Sequence, residues 1–187
     1  MTAQSLDQTR VAPSPILLAA WSTIGGGVLT FALGFPLAQF QAQEPPPWWI
    51  PTLNAFSHLL LIAGVVGLAR VGAAGRGALA TISLGLTILG LAVLTVAEIV
   101  WLATGAADAL YGIATLAYTL GLILLGVAVL RARRWTGWHR FTPLACGLFV
   151  PLVMFPAFAL PGYAANYAIG LWGVCWLLFG VALLAEA

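Results

Sequence analysis

The positions of the charged residues constrain this chain more than any other feature. The chain contains seven arginines, no lysine and five acidic residues, and long apolar runs separate them. Among the acids, only Glu98 interrupts an apolar run. The arginines stand at Arg10, Arg70, Arg76, Arg131, Arg133, Arg134 and Arg140. This pattern predicts a protein that lives in a membrane, and it singles out one intramembrane carboxylate.

Composition excludes an ordinary water-soluble domain. The chain is 62% hydrophobic and 6% charged, whereas a soluble domain carries about 25% charged residues. So few charges cannot cover a surface that faces water, but a surface in lipid needs none. The net charge of +2 is too small to favour nucleic acid. We therefore expect the lipid bilayer as a partner and no nucleic acid.

Six apolar stretches are long enough to cross a bilayer, which needs about 20 apolar residues as a helix. Short alternating segments typical of a membrane β-barrel are absent from the sequence. We predict an all-α, polytopic protein: one six-transmembrane-helix bundle over residues 14–187, after a polar cytoplasmic tail at 1–13. The main alternative is five spans and one re-entrant segment. The predicted spans are about 14–37, 51–69, 78–103, 109–130, 141–160 and 165–185.

The arginines also predict an orientation. Short loops rich in arginine stay on the cytoplasmic side of a membrane. Six spans place Arg10, the 70–76 loop and the 131–140 loop on one side. We therefore predict that both termini are cytoplasmic. The Ala-, Gly- and Leu-rich composition is typical of small multipass proteins of GC-rich bacteria, so we expect a bacterial cytoplasmic (inner) membrane.

Two further patterns concern helix packing. Residues 124–130 resemble residues 178–184, and residues 62–68 are a looser version, which is consistent with three helical hairpins formed by spans 1–2, 3–4 and 5–6. The glycines in these segments favour close approach of helix backbones. Pro151 and Pro156 predict a kink in the fifth span, because each removes a backbone hydrogen bond.

One constellation of polar residues could carry chemistry. Glu98 and His58 fall at similar depths on consecutive antiparallel spans, and we expect their side chains within about 6 Å of each other. Such a group could relay protons or bind a cation. It could equally form a hydrogen bond that locks two helices, or Glu98 could reach the surface. The polar residues expected near the pair are Asn54, Thr87, Thr95, Tyr111 and Tyr118.

The basic loop at 131–140 is a second candidate site. Clustered arginines beside a span can bind anionic lipid headgroups. The simpler interpretation is that they only anchor the orientation of the chain. The candidate headgroup contacts are Arg131, Arg133, Arg134, Arg140, Trp135 and Trp138.

Motifs for other chemistry are missing from the sequence. It has no metal-ligand spacing, phosphate loop or nucleophile elbow, so we expect no metal, no cofactor and no enzymatic activity. Two functions remain. The first is a non-catalytic helical bundle that serves as an accessory subunit or binds lipid, with other membrane subunits or further copies of itself as partners. The alternative is a small proton- or cation-coupled transporter or channel that uses Glu98 and His58.

Overall fold

The computed structural model describes residues 14–186, so the predicted tail at 1–13 lies outside the described residues. Within this range the protein is helical, and six segments are long and apolar enough to cross a membrane. Their bounds lie within about three residues of those predicted. The spans are α1 (Pro15–Gly34), α3 (Trp49–Val71), α4 (Ala78–Thr104), α5 (Asp108–Ala132), a fifth span (His139–Phe158) and α8 (Ala164–Leu184). A short helix, α2 (Ala38–Gln41), lies between α1 and α3.

Local sequence explains where the spans begin and end. The Ser14 hydroxyl accepts the Leu17 N–H at 3.1 Å, and Pro15 occupies the first helical position, where its missing N–H does no harm. The helices α3 and α4 each end at a glycine, Gly72 and Gly105, in the left-handed conformation. Glycine adopts this conformation without strain, which is why it commonly follows the last turn of a helix.

The two ends of the bundle differ in composition. The first, here called the arginine end, carries the connecting segments 72–77 and 133–138, the start of α1 and the end of α8. The second, the proline end, carries the segments 35–48, 105–107 and 159–163. The prediction that the basic loops share one end of the bundle is consistent with six antiparallel spans.

The six spans form a closed ring in chain order. Each span packs on the one before and the one after it, and α8 packs on α1 to close the ring. The most extensive contacts join α1 to α8 and α4 to α5. The predicted hairpins are therefore neighbours in space, but they are parts of one continuous ring rather than separate units.

Glycine allows the closest contacts in this ring. Gly34 in α1 lies directly against Gly170 in α8, and a side chain on Gly27 would collide with the backbone at Gly173. The fifth span meets α5 in the same way, since Gly126 lies against the Leu144 backbone. Close packing of small residues is what holds helices together in lipid, where burial of apolar surface provides little drive.

The predicted repeat is supported for two of its three copies. Gly126 in α5 and Gly180 in α8 are both buried against the next helix of the ring, at Leu144 and Ile24 respectively. Gly64, in the looser copy on α3, instead faces Thr23 on the preceding helix. The glycine of the α3 segment therefore packs on the preceding helix of the ring, whereas Gly126 and Gly180 pack on the following one. The sequence similarity of the α3 segment does not extend to its packing.

A column of aromatic rings fills the interior between α5 and α8. Its ring centroids are 5.3 Å apart for Tyr118 and Trp172, 5.6 Å for Trp172 and Trp176, 5.5 Å for Trp176 and Phe179, and 6.3 Å for Phe179 and Trp135. Such tilted and edge-on arrangements are favourable for aromatic pairs. The column runs to the arginine end, so most of the interior is packed rather than hollow.

The fifth span is irregular, as its prolines predict. It consists of a 3-10 turn (His139–Phe141), α6 (Thr142–Phe149), a π-helical segment (Val150–Met154) and α7 (Phe155–Phe158). Pro151 and Pro156 lack the N–H that a regular helix needs. The Trp172 indole N–H bonds to the Cys146 carbonyl at 2.9 Å and so ties α8 to this span.

The irregular span also leans away from α5 towards the proline end. Its 3-10 turn and α6 pack on α5, whereas its π-helical segment and α7 pack on α8. The two helices α5 and the fifth span therefore lie close at the arginine end and diverge at the proline end. This divergence shapes the candidate site.

Candidate functional site

A cavity of about 290 Å³ lies inside the ring at the proline end. Its wall combines two amides, an imidazole, two phenols and a threonine hydroxyl with large apolar side chains. The polar lining residues are Gln41, Asn54, His58, Tyr111, Thr115 and Tyr118, and the apolar ones are Leu94, Met154, Phe158, Ile169 and Trp172. A mostly apolar pocket with a few convergent polar groups is the usual form of a small-molecule site.

Two polar atoms of the lining residues lack a hydrogen-bond partner. The Nδ1 atom of His58 and the Oε1 atom of Gln41 are both shielded from solvent and unpaired. A buried polar atom without a partner costs about 1–3 kcal/mol. Thr119, Trp135 and Trp176 also carry buried polar atoms without a partner, but only His58 and Gln41 line this cavity.

Helical periodicity places the polar side chains together. Asn54 and His58 lie one turn apart on α3, and Tyr111, Thr115 and Tyr118 follow each other at spacings of four and three on α5. These spacings put each set on one face of its helix, and both faces line the cavity. The short helix α2 brings Gln41 to the same cavity from the proline end.

Glu98 is buried, with 6% of its surface exposed, but it does not line the cavity. Its carboxylate lies near the Tyr111 hydroxyl. The direct pairing with His58 expected from the sequence is not formed at His58 Nδ1, because that atom has no partner. Tyr111 lies near Glu98 and lines the same cavity as His58.

Of the other residues predicted for this site, Thr87 and Thr95 are not part of it. Both are buried, and their hydroxyls donate to carbonyls of their own helix, those of Ser83 at 2.8 Å and Leu91 at 3.0 Å. Threonine satisfies itself in this way where no other partner is present. The structure therefore brings together Asn54, Tyr111 and Tyr118 with His58, and leaves the two threonines as packing residues on α4.

The cavity has a neighbour on the outer surface of the ring. A groove of about 350 Å³ lies where α5 and the fifth span diverge, and it shares Tyr111, Thr115 and Phe158 with the cavity. The rest of its wall is Gly112, Leu116 and Phe155. Leu116 is 66% exposed, and a side chain at Gly112 would meet nothing. The cavity therefore borders the face that a bilayer would cover.

Sequence reasoning missed several residues of this cavity. Thr115 could have been found, because it lies on the helical face shared by Tyr111 and Tyr118. Gln41 carries no such signal, since it reaches the cavity from a short helix in a connecting segment. Trp172, although it shares a face with Trp176, could not be assigned to the cavity without knowing which helices are neighbours.

The predicted headgroup contacts of the basic loop are also divided by the structure. Trp135 is 2% exposed and packs on Phe179, so it is not accessible as the headgroup contact predicted from the sequence. Arg131 and Arg134 line a cavity at the arginine end together with Arg76. The other predicted contacts do not line that cavity: Arg133 caps α5, Trp138 is exposed beside His139, and Arg140 stacks on Phe141.

Metal chemistry finds no support within residues 14–186, where no group of three His, Cys, Asp or Glu side chains could hold an ion. Cys146 and Cys175 are both free thiols. Comparison with known proteins gave no match to a protein-family model, to a curated protein or to a solved structure.

Proposed function

We propose that this protein is a non-catalytic helical bundle that binds an amphipathic, membrane-soluble molecule in the cavity at the proline end. The observation that carries the proposal is the pair of unpaired buried atoms, His58 Nδ1 and Gln41 Oε1, on residues that line one cavity. A bound headgroup that hydrogen-bonds to both atoms would relieve about 1–3 kcal/mol for each of them.

The setting of the cavity favours a ligand from the bilayer rather than from water. The groove between α5 and the fifth span shares three residues with the cavity and faces outward. A headgroup could pass between Gly112 and Phe155, while an apolar tail remains in the groove. Arginine and acidic side chains are absent from both walls among the described residues, so the headgroup we propose is neutral.

The proposed setting is the cytoplasmic membrane of a bacterium, with both termini in the cytoplasm. The arginine end supports this orientation, since Arg70, Arg76, Arg131, Arg133 and Arg134 lie in or beside its connecting segments and arginine-rich loops stay inside. The proline-end cavity would then open towards the outer leaflet. The same site is compatible with a role as an accessory subunit. In that role the bundle would hold the bound lipid or a partner protein.

The sharpest test blocks the groove without touching the core. Trp in place of Gly112 would fill the groove, because a side chain there points into open space. Gly85→Trp is the matched control, since Gly85 on α4 is also exposed, mid-helix and free of neighbours. Each protein is purified from its own membranes and its retained small molecules are counted by native mass spectrometry.

We expect the unchanged protein and Gly85→Trp to retain the same molecule, and Gly112→Trp to lose at least about tenfold of it, the equivalent of 1.4 kcal/mol. Equal retention by all three proteins would contradict lateral access. Retention of no molecule by any of them, in gentle detergent, would contradict binding itself.

A second function, proton or cation transport, is favoured by one observation. Tyr111 lies near Glu98 and lines the same cavity as His58, so a polar side chain lies close to both the cavity and the buried carboxylate. The aromatic column of Tyr118, Trp172 and Trp176 packs the interior beyond the cavity, which disfavours a path across the bundle. Proton flux in liposomes that disappears in Glu98→Gln would favour transport over lipid binding.

A further inference from the structure

A second cavity, of about 450 Å³, lies at the arginine end between the 72–77 segment, the start of α4 and the end of α5. Three arginines from separate parts of the chain line it: Arg76 from the first connecting segment, Arg131 from α5 and Arg134 from the second connecting segment. The two basic regions of the sequence therefore meet around one space.

Three like charges around one cavity repel each other unless an anion lies between them. No acidic side chain lines this cavity among the residues that the structure describes. One contact holds the basic segments together: Arg134 donates a hydrogen bond to the Gly72 carbonyl at 3.2 Å. The guanidiniums have further N–H donors free for a ligand, because each carries five.

Backbone N–H groups add hydrogen-bond donors that, like the arginines, attract an anion. Gly77, Ala78, Leu79 and Ala80 complete the wall, and they form the start of the long helix α4. Gly77 has no side chain that could accept the N–H groups of the first turn. Free N–H groups at a helix start favour an anion, and here they face the same cavity as the three arginines.

Small residues of the 72–77 segment and of α5 also line the cavity and leave its space unfilled. They are Ala74, Gly75, Ala128 and Ala132, and a side chain on Gly75 would come within 3.2 Å of Ala132. The space is therefore lined by three guanidinium side chains and by small apolar residues. An apolar base beside a charged rim suits a ligand that has both a charge and an apolar part.

We propose that this cavity binds the phosphate of an anionic phospholipid. Arginine pairs with phosphate through two parallel hydrogen bonds, and the cavity lies at an end of the spans, the level at which headgroups lie in a bilayer. Ile82 and Leu89 are exposed apolar side chains further along α4, and they suit acyl chains. The site is independent of the proline-end cavity, which lies at the other end of the bundle.

The test measures lipid binding by purified protein in detergent through native mass spectrometry. The probes are phosphatidylglycerol, phosphatidylcholine as the zwitterionic lipid, and inorganic phosphate as a competitor. The variants are Arg76→Gln and Arg131→Gln, one from each basic segment. Arg140→Gln is the matched control, because it removes the same charge from a residue that stacks on Phe141 outside the cavity.

We expect the unchanged protein and Arg140→Gln to prefer phosphatidylglycerol by at least about tenfold, and each cavity variant to lose about tenfold in affinity, as removal of a charge-assisted hydrogen bond would do. The melting temperature without lipid serves as the folding control. It should not change, since the two substituted arginines, Arg76 and Arg131, are exposed. Equal losses in all three variants would overturn the site in favour of diffuse attraction. Full competition by millimolar phosphate would overturn the lipid assignment.

Discussion

The interiors of the two halves of this bundle are filled differently. Glycine contacts occur in both halves, but towards the arginine end Trp176, Phe179 and Trp135 pack the interior. Towards the proline end, α5 and the fifth span diverge, and a cavity lies on buried polar atoms that have no partner. Buried polar atoms without a partner occur in both halves, since Trp135 and Trp176 carry them as well as His58 and Gln41. The two halves therefore differ in how completely side chains fill the interior, and only the proline-end half keeps a space that could receive a molecule.

The largest effect is expected from the aromatic column. Trp176 is fully buried between Trp172 and Phe179, and Trp176→Ala would leave a void in the packed half. We expect a loss of about 3 kcal/mol of stability, the lower end for such truncations. Trp21→Ala is the control, because Trp21 is 59% exposed on α1. Unfolding in mixed micelles would measure both, and equal losses would contradict a packed column.

A slightly smaller effect is expected at a helix contact. A side chain at Gly180 would come within 2.9 Å of the Ile24 backbone nitrogen and 3.0 Å of the Ala20 carbonyl oxygen. Gly180→Val should therefore push α8 from α1 and lower stability by about 1–3 kcal/mol. Gly85→Val meets no neighbour and should lower the melting temperature little. A melting temperature unchanged in Gly180→Val would show that this contact is not tight.

The opposite sign is expected at the proline end. His58→Leu removes an unpaired buried Nδ1 atom and replaces a ring with an apolar side chain of similar size. Because nothing that was paired in the ligand-free protein is lost, we expect a gain of about 1 kcal/mol in stability without ligand, together with weaker ligand retention. Thermal unfolding and native mass spectrometry on one preparation would measure both quantities. A destabilised variant would indicate that His58 is a structural residue.

The smallest effect is expected at Glu98, the acidic residue that interrupts an apolar run of the sequence. Glu98→Gln retains an oxygen that can accept from the Tyr111 hydroxyl, and Glu98 lies outside the cavity wall. We expect stability to change by less than about 1 kcal/mol and ligand retention to stay the same. Loss of the ligand in this variant would show that the carboxylate acts on the site through Tyr111.

Much of the fold could be predicted from the sequence, because the bilayer restricts the choices. Apolar length and arginine positions gave six spans with bounds near those observed, and Pro151 and Pro156 predicted the irregular fifth span. The ring order was not accessible, since the faces of these helices are apolar on all sides. Their packing depends on which glycine meets which backbone, as the different interfaces of Gly64 and Gly126 illustrate.

The candidate site was predicted in part. His58, Asn54, Tyr111 and Tyr118 were identified because polar side chains are rare in these spans. Depth along a helix does not determine the direction in which a side chain points, and His58 Nδ1 has no partner where a pairing with Glu98 was expected. The cavity itself depends on the divergence of α5 from the fifth span, a tertiary feature that no local pattern encodes.

Photo-cross-linking in native vesicles tests most directly whether the cavity at the proline end receives a molecule from the bilayer. The probe is a neutral membrane-soluble amphiphile that carries a photoreactive group on its apolar tail, next to the headgroup. Mass spectrometry maps the labelled residues. We expect labels concentrated on residues 111–116 and 155–158, well above those on the similarly exposed apolar side chains Leu89 and Val96 of α4. Labelling that follows exposure alone, with no excess at the groove, would contradict the proposed binding.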